Sequence, residues 1–419
     1  MNRFLTEDTK AIIMLCGSFD RDPQVKPLGL REYTALVHWL IKAELRPSAL
    51  MKSDCVKEAA LGTAIDHERL QKLMGRGAQL GFAVDKWHQS GIWVISRSDQ
   101  EYPARYKSHL KEQAPPLLFG AGDRSLLCGG GLAIVGSRAV DKAGEKFARE
   151  IAELCAVNLM PVVSGGARGV DQASMSAALE AGGVAIGVLA ENLLRKSLER
   201  DARHALANGH LLLISPYHPE ARFTVGSAMG RNKLIYAMAD YGMVVSSDYN
   251  KGGTWAGATE ELRRHKARPV FVRIDKETPA GNSKLLELGA VAWFRPDAGL
   301  SLQTQLSKAV AISGRNTVAD RQGIFDFVMS RADTPSYRKI EPVSESLTMV
   351  KEATPEVSPK TLYEVALPVI MSRLSAPVTL EDLAANLEVT KSQLNLWLKR
   401  AVSEGKVERL TGPVRYRNV

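Results

Sequence analysis

Two arginines stand at the ends of two short apolar runs, and their surroundings are suited to holding an anion. The first run is Ala133-Ile134-Val135 and closes in Gly136-Ser137-Arg138. About thirty residues on, Val162-Val163 closes in Ser164-Gly165-Gly166-Ala167-Arg168-Gly169-Val170-Asp171. Glycines let backbone N–H groups approach an anion, helix N-termini favour negative charge, and each guanidinium adds a fork of donors. One such turn alone is also what a tight βα connection looks like. Two in tandem, each with an arginine, point to a phosphate-binding edge. Arg138 and Arg168 are the expected phosphate ligands, aided by the backbone N–H groups of Ser137 and of Gly165-Gly166. Asp171 is expected to orient Arg168.

Two further segments fit the same edge. Arg231 and Lys233 open a helix, and Asn232 between them can bond a sugar, a base edge or a neighbouring turn. Lys251-Gly252-Gly253-Thr254 forms another anion cradle. Non-specific binding of a nucleic-acid strand needs a basic groove and aromatic platforms. The candidate platforms are Tyr217, Phe223, Tyr236 and Trp255, each of which could instead be buried in the core.

Other chemistries find less support. There is no GxxxxGK[ST] phosphate loop, so a P-loop ATPase is disfavoured. The eight histidines are scattered and form no Ser-His-Asp or Cys-His order. The four cysteines, Cys16, Cys55, Cys128 and Cys155, form no CxxC pair. No metal site, cofactor or disulfide framework is therefore expected, and the cysteine usage predicts a reducing, cytoplasmic setting. The first residues do not read as a signal peptide, and no apolar run is long enough to span a bilayer. A formal net charge of +9 favours a polyanionic partner.

The elements that must position these residues follow from the periodicity. Residues 1–85 read as a helical domain, with Leu36, Val37, Leu40 and Ile41 on one face and Leu70, Leu73 and Met74 on another. Gly75-Arg76-Gly77-Ala78 and Gly81 predict a break. Residues 86–130 form a lead-in, with a strand at Trp93-Val94-Ile95. From about 117 to 300, strand-like runs alternate with amphipathic helices such as Ala143 to Cys155. The readable strands are 132–136, 161–164, 184–189, 211–214, 243–246, 269–274 and 291–294. This alternation predicts a doubly wound α/β sheet over 86–300, with ligands at the carboxyl ends of its strands. Residues 301–360 are read as a helix followed by a Pro-, Ser-, Thr-, Glu- and Lys-rich flexible linker. In 361–419 a helix, a second helix capped by Thr379, a third from about Lys391 to Gly405, and a hairpin of Val407–Leu410 with Val414–Arg417 predict a winged helix. Its candidate DNA contacts are Lys391, Gln393, Lys399, Arg400 and Arg415. Its basic excess is small, so DNA contact and protein contact both stay open.

At this point the residues resemble the DprA/Smf family of DNA-processing proteins. Gly136-Ser137-Arg138 corresponds to the family's first phosphate turn. Ser164 to Asp171 is similar to its SGLARGID motif, and Arg231-Asn232-Lys233-Leu234-Ile235 to its RNRII motif. Gly252-Gly253-Thr254 with Ala258 resembles SGSLxTA, and Asn282, Leu285 and Gly289-Ala290 resemble GNxLIxxGA. Glu101-Tyr102-Pro103 and Pro116-Leu117-Leu118-Phe119 resemble the family's lead-in. The resemblance implies an extended Rossmann-like fold that binds single-stranded DNA without catalysis and helps load a RecA-type recombinase, as a homodimer away from membranes. It covers roughly 85–295 by motif and the rest by architecture.

The chain departs from the family in places. Ser174 and Met175 stand where Ala-His is usual, and the stretch from Phe223 to Arg231 is longer. Val245 is followed by Ser246-Ser247 with no acid, and no Pro-Gly follows Val270-Phe271-Val272. These differences mark a divergent member and leave the DNA turns intact. They open a second reading, in which a nucleotide- or DNA-sensing sheet tethered to a winged helix serves phage defence or acts as the antitoxin of a cognate toxin. A third reading rests on Gly252-Gly253-Thr254 with Thr259-Glu260-Glu261, similar to the PGGxGTxxE motif of nucleotide phosphoribohydrolases. It would make Glu260 or Glu261 catalytic.

Overall fold

In the computed structural model the chain divides into two units, Met1–Pro335 and Ser336–Val419. The structure describes residues 5–19, 25–275, 278–294, 296–297 and 299–313. Beyond these it describes 367, 370–374, 377–386, 394, 397–398, 401–402, 404, 406–410 and 415–418.

The first unit opens with five helices: α1 (Glu7–Cys16), α2 (Leu30–Lys42), α3 (Ser53–Thr63), α4 (His67–Met74) and α5 (Gly77–Gln89). Side-chain oxygens fix two of their starts. Thr6 accepts from the Thr9 N–H at 3.2 Å, and Asp66 from the Arg69 N–H at 2.7 Å. These bonds satisfy donors that a helix start leaves open. In α2 the buried stripe is Tyr33, Leu36 and Leu40, while Ile41, expected on that stripe, faces solvent. The break expected at Gly81 does not occur. Leu80, Val84 and Trp87 recur at helical spacing and bury one face of α5, and that burial outweighs the roughly 1 kcal/mol by which glycine disfavours a helix.

A nine-stranded sheet follows. Its strands are β1 (Trp93–Ser96), β2 (Leu117–Ala121), β3 (Leu132–Gly136), β4 (Val162–Ser164), β5 (Ala185–Val188), β6 (Leu211–Ser215), β7 (Tyr241–Ser246), β8 (Val270–Val272) and β9 (Val291–Ala292). The intervening helices are α6 (Ala104–Leu110), α7 (Lys142–Val157), α8 (Val170–Glu180), α9 (Leu193–Leu198), α10 (Arg200–Ala207), α11 (Val225–Met238), α12 (Gly252–Leu262) and α13 (Ala280–Glu287). After β9 comes α14 (Leu302–Ser313). The spatial order is β1-β2-β6-β5-β4-β3-β7-β8-β9. Strands β3 to β9 run parallel to their neighbours, and β1 and β2 add an antiparallel edge through the β2–β6 pairing. The sequence pattern had not marked β2 as a strand. It is buried along its length, so it shows no alternation of apolar and polar residues.

Helices cover both faces. On one, Leu118, Val135, Ile186 and Val244 pack with Tyr106, Leu234, Ile235 and Leu285. On the other, α7 and α8 cover the middle strands, while α1, α2 and α5 lie on the antiparallel edge. There Trp87 meets Phe119 edge-on with ring centres 5.0 Å apart. Helices of the first ninety residues and the sheet thus share one core. Among the described residues no helix is long and apolar enough to cross a membrane.

In the second unit a helix spans Leu380–Asn386, and the Thr379 hydroxyl accepts from the Asp382 N–H at 3.2 Å. Val407–Leu410 pairs antiparallel with Arg415–Asn418, and Val378 bridges to Tyr416. Ile370, Leu374, Leu383, Leu394, Leu398 and Ala401 are buried together with Val407 and Tyr416. The expected linker and the candidate contacts Lys391, Gln393, Lys399 and Arg400 lie outside the described residues. Arg415 lies on the second strand of the hairpin.

Candidate nucleic-acid interface

The strand order fixes where a ligand would sit. From β3 the chain steps outward through β4, β5 and β6, then returns to the other side of β3 with β7. The connections after β3 and β7 therefore diverge and leave a crevice at the carboxyl ends of these strands. A cleft of about 430 Å³ lies there. Its lining includes Gly136, Ser137 and Arg138 at the end of β3, Ser246, Ser247 and Asp248 at the end of β7, and Arg231 and Asn232 of α11. Lys251, Gly252, Gly253 and Thr254 at the start of α12 also line it.

Local geometry explains these placements. The β3–β7 register shifts between Val135 and Gly136, and the Ser137 N–H donates to the Ser246 carbonyl at 3.0 Å. A Cβ at Gly136 would lie 2.5 Å from the Val170 side chain, so glycine is what lets α8 start against β3. Asn282 is fully buried and acts as a bracket behind the β7 end. Its Oδ1 accepts from the Ser247 N–H at 2.8 Å, and its Nδ2 donates to the carbonyls of Val245 and Arg273 at 3.1 and 2.9 Å. Asn232 donates to the Gly253 carbonyl at 3.0 Å and ties α11 to α12, so the neighbouring turn is its partner. No side chain caps α12, and the first N–H groups of a helix have no partner within it. Gly252 adopts φ +78°, a conformation that favours glycine.

Arg231 forms the floor. Its side chain is 6% exposed, and Nη1 stands 3.8 Å from Oδ2 of Asp171. Nε and Nη1 are buried without a hydrogen-bond partner, as is the hydroxyl of Tyr236, another residue of the lining. Burial raises the Asp171 pKa, opposed by Arg231 and by the backbone N–H groups of Ala167 and Gly165. Burial likewise lowers the Arg231 pKa, opposed by Asp171. Each partner is pushed toward neutrality, so the pair is under-compensated for the water it has lost. Gly165 makes room for the guanidinium, since a Cβ there would fall 1.2 Å from Nη1.

Arg138 is exposed at the rim, its guanidinium 5.1 Å from the centre of the Phe223 ring, which is itself 40% exposed. Met229 and Val225 complete an exposed apolar lip. Of the other aromatic candidates, Tyr217 donates to the Ser227 carbonyl at 3.0 Å, Tyr236 is buried, and Trp255 packs edge-on to Tyr249.

Several expected roles change. Asp171 pairs with Arg231, whereas Arg168 is exposed and does not line the cleft. The Ser137 N–H is engaged by Ser246 and is not free for a phosphate, and Gly165 faces the Asp171 carboxylate. Ser164 is fully buried and clasps β4 to β3 through the Ile134 carbonyl at 2.6 Å. Gly166 takes φ +65° and, with Gly165, lies outside the cleft lining. Lys233 is half-buried beside Glu260 and Arg264, and it too lies outside the lining. Sequence reasoning missed Asp248, which supplies an acid at the cleft two residues beyond β7. It also missed the part played by Asn282, whose only sign was its place in a motif.

Glu260 and Glu261 do not line the cleft. Glu260 bonds Arg264 at 2.7 Å. Glu261 is 1% exposed, accepts from the Arg268 N–H at 2.6 Å and meets His109 Nε2 at 3.0 Å. Glu261 is thus tied into the packing behind α12, while Glu260 makes a surface ion pair.

Comparison with known proteins bears on the same region. The profile of the family described as DNA recombination-mediator protein A matches residues 93–302. The DNA processing protein DprA of Bacillus subtilis is 29% identical over 255 residues, spanning 58% of this chain and 80% of that protein. DprA of Streptococcus pneumoniae is 28% identical over 244 residues, 54% of this chain and 84% of its own length. The crystal structure of the pneumococcal protein aligns with a TM-score of 0.55 at 21% identity, covering 69% of this chain and 95% of that one, a likeness in fold. The Helicobacter pylori DNA processing protein A, described for its single-stranded DNA binding mode, aligns at 22% identity with a TM-score of 0.42, covering 53% and 96%. The family match spans half of the 419 residues and includes every strand of the large sheet, and the chain belongs to the DNA recombination-mediator protein A family, also called DprA/Smf.

Proposed function

We propose that the chain is a non-enzymatic single-stranded DNA-binding protein of recombination, with its DNA site in the cleft between the β3 and β7 ends. The observation that carries this reading is the convergence of Arg138, Arg231, Lys251 and the α12 N-terminus on one cleft with an exposed aromatic lip. Arg138 over Phe223 offers a phosphate ligand and a base platform side by side. Backbone charge and stacking carry no sequence information, so the site binds strands of any sequence. A RecA-type recombinase is the protein partner that this reading names, and the homodimer is its working unit.

Fluorescence anisotropy of a labelled oligo-dT at several salt concentrations tests the site. The Arg138→Ala/Lys251→Ala double variant is expected to lose affinity. Two fewer phosphate contacts should flatten the log–log salt slope by about 1.4. Lys233→Ala should leave both quantities near wild type. An unchanged slope in the double variant would remove the cleft from the DNA path.

A further inference from the structure

The floor and the rim of the cleft differ in a way that bears on which part of a strand each can hold. At the rim Phe223, Met229 and Val225 are 40, 42 and 72% exposed. At the floor Arg231 and Tyr236 are 5 and 1% exposed, yet the Nε and Nη1 of the one and the hydroxyl of the other find no partner. Buried donors without acceptors are costly, and a buried cation more so. Asp171 balances the charge only in part: it faces Nη1 as an ion pair across 3.8 Å, and Nε and Nη1 keep no hydrogen-bond partner. The uncapped N-terminus of α12 lines the same cleft as a second, independent positive feature.

We infer that this floor holds the terminal phosphate monoester of a DNA strand on Arg231, while the rest of the strand leaves over Arg138 and Phe223. The inference rests on reading the cleft as a DNA site. An internal phosphodiester carries a sugar on each side and needs two ways out, which an exposed rim offers and a buried floor does not. A terminal phosphate carries one substituent and presents three acceptor oxygens with close to two negative charges. Those oxygens match the free donors of Arg231 and the Tyr236 hydroxyl. Asp248, exposed on the cleft wall, disfavours a second phosphate beside it.

The experiment compares full-length protein binding to one labelled oligo-dT with a 5′-phosphate, a 3′-phosphate or hydroxyls at both ends. One phosphorylated form is expected to bind about tenfold more tightly than the hydroxyl form, a difference of about 1.4 kcal/mol, and the preferred end gives the strand polarity. Arg231→Gln should erase that difference while melting as a folded protein. Equal binding of all three forms by wild type overturns the inference, as does a difference that persists in Arg231→Gln. Should the variant not fold, competition on wild type decides: 5′-dTMP must displace the phosphorylated strand where thymidine does not. If wild type binds no strand at all, the DNA reading itself falls. The floor is then judged by whether 5′-dTMP, and not thymidine, raises the melting temperature.

Discussion

Arg231 Nη1 and Asp171 Oδ2 face each other across 3.8 Å in the floor of the cleft, both residues buried, and Nη1 finds no hydrogen-bond partner. An arginine held this way is ready for an anion from outside the protein. Its position depends on the absence of a side chain at Gly165.

Gly165→Ala tests that dependence. The new methyl would lie 1.2 Å from Nη1 and 2.6 Å from the Asp171 carboxylate, so Arg231 must leave the floor. Overpacking of this kind costs about 1–3 kcal/mol. Urea unfolding should show that loss, and anisotropy should show weaker DNA binding. Wild-type values for both would mean that Arg231 has another resting place.

Asp171 makes stability depend on pH in an unusual direction for a carboxylate. Its folded pKa is raised by burial, so the folded state holds its proton more tightly than the unfolded state. Ionisation of Asp171 therefore works against folding. The penalty is absent at pH values below the ordinary carboxylate range and is complete above the raised folded value. Measured against Asp171→Asn, wild type should lose ground as pH rises through that window. Melting curves of both proteins from pH 4 to 8 check the sign, and a difference that does not vary with pH would contradict it.

Phe223→Ala removes the exposed ring under Arg138. Stacking contributes about 1–3 kcal/mol per base, so strand affinity should fall by roughly tenfold or more. The ring is 40% exposed, so the melting temperature should barely move. Unaltered affinity would place the bases elsewhere.

Asn282→Ala should be costly despite its distance from any ligand. It leaves the Ser247 N–H and the carbonyls of Val245 and Arg273 without their buried partner. At about 1–3 kcal/mol for each unsatisfied group, a loss of about 3 kcal/mol or more is expected in urea unfolding. DNA affinity should fall with it, because the β7 end forms one wall of the cleft.

Glu261→Ala separates folding from ligand chemistry. Removing one partner of a buried charged cluster costs about 3–5 kcal/mol. The Arg264, Arg268 and His109 contacts are lost together. Urea unfolding should report that cost, while strand affinity per folded molecule stays near wild type. Incubated mononucleotides should remain intact with wild type and variant alike, and base release by wild type would reopen the hydrolase reading.

Much of the sheet was legible because its strands are short apolar runs closed by small-residue turns. β3, β4, β5 and β6 fall within a residue of the expected runs. The turns at Arg138 and Lys251 were legible for the same reason, since glycine beside a basic residue leaves a local mark. What the sequence could not show is which neighbour each polar group finds. The Ser137 N–H is taken by Ser246, more than a hundred residues away, and Asp171 turns to Arg231 rather than to Arg168 three residues before it. Helical phase decides the fate of Lys233. It lies two residues from Arg231, and on a helix two residues turn a side chain to the far side.

The meeting of Trp87 and Phe119 has a consequence for anyone who handles the chain in pieces. A fragment trimmed to residues 93–302 would keep every strand of the sheet but lose α5, and with it the ring that covers Phe119. Val94, Leu117 and Phe119, now packed with α1 and α5, would face water as one apolar sheet surface on the edge strands. Such a surface invites pairing with its own kind. The trimmed fragment would self-associate, and an oligomer measured on it would report the cut and not the protein.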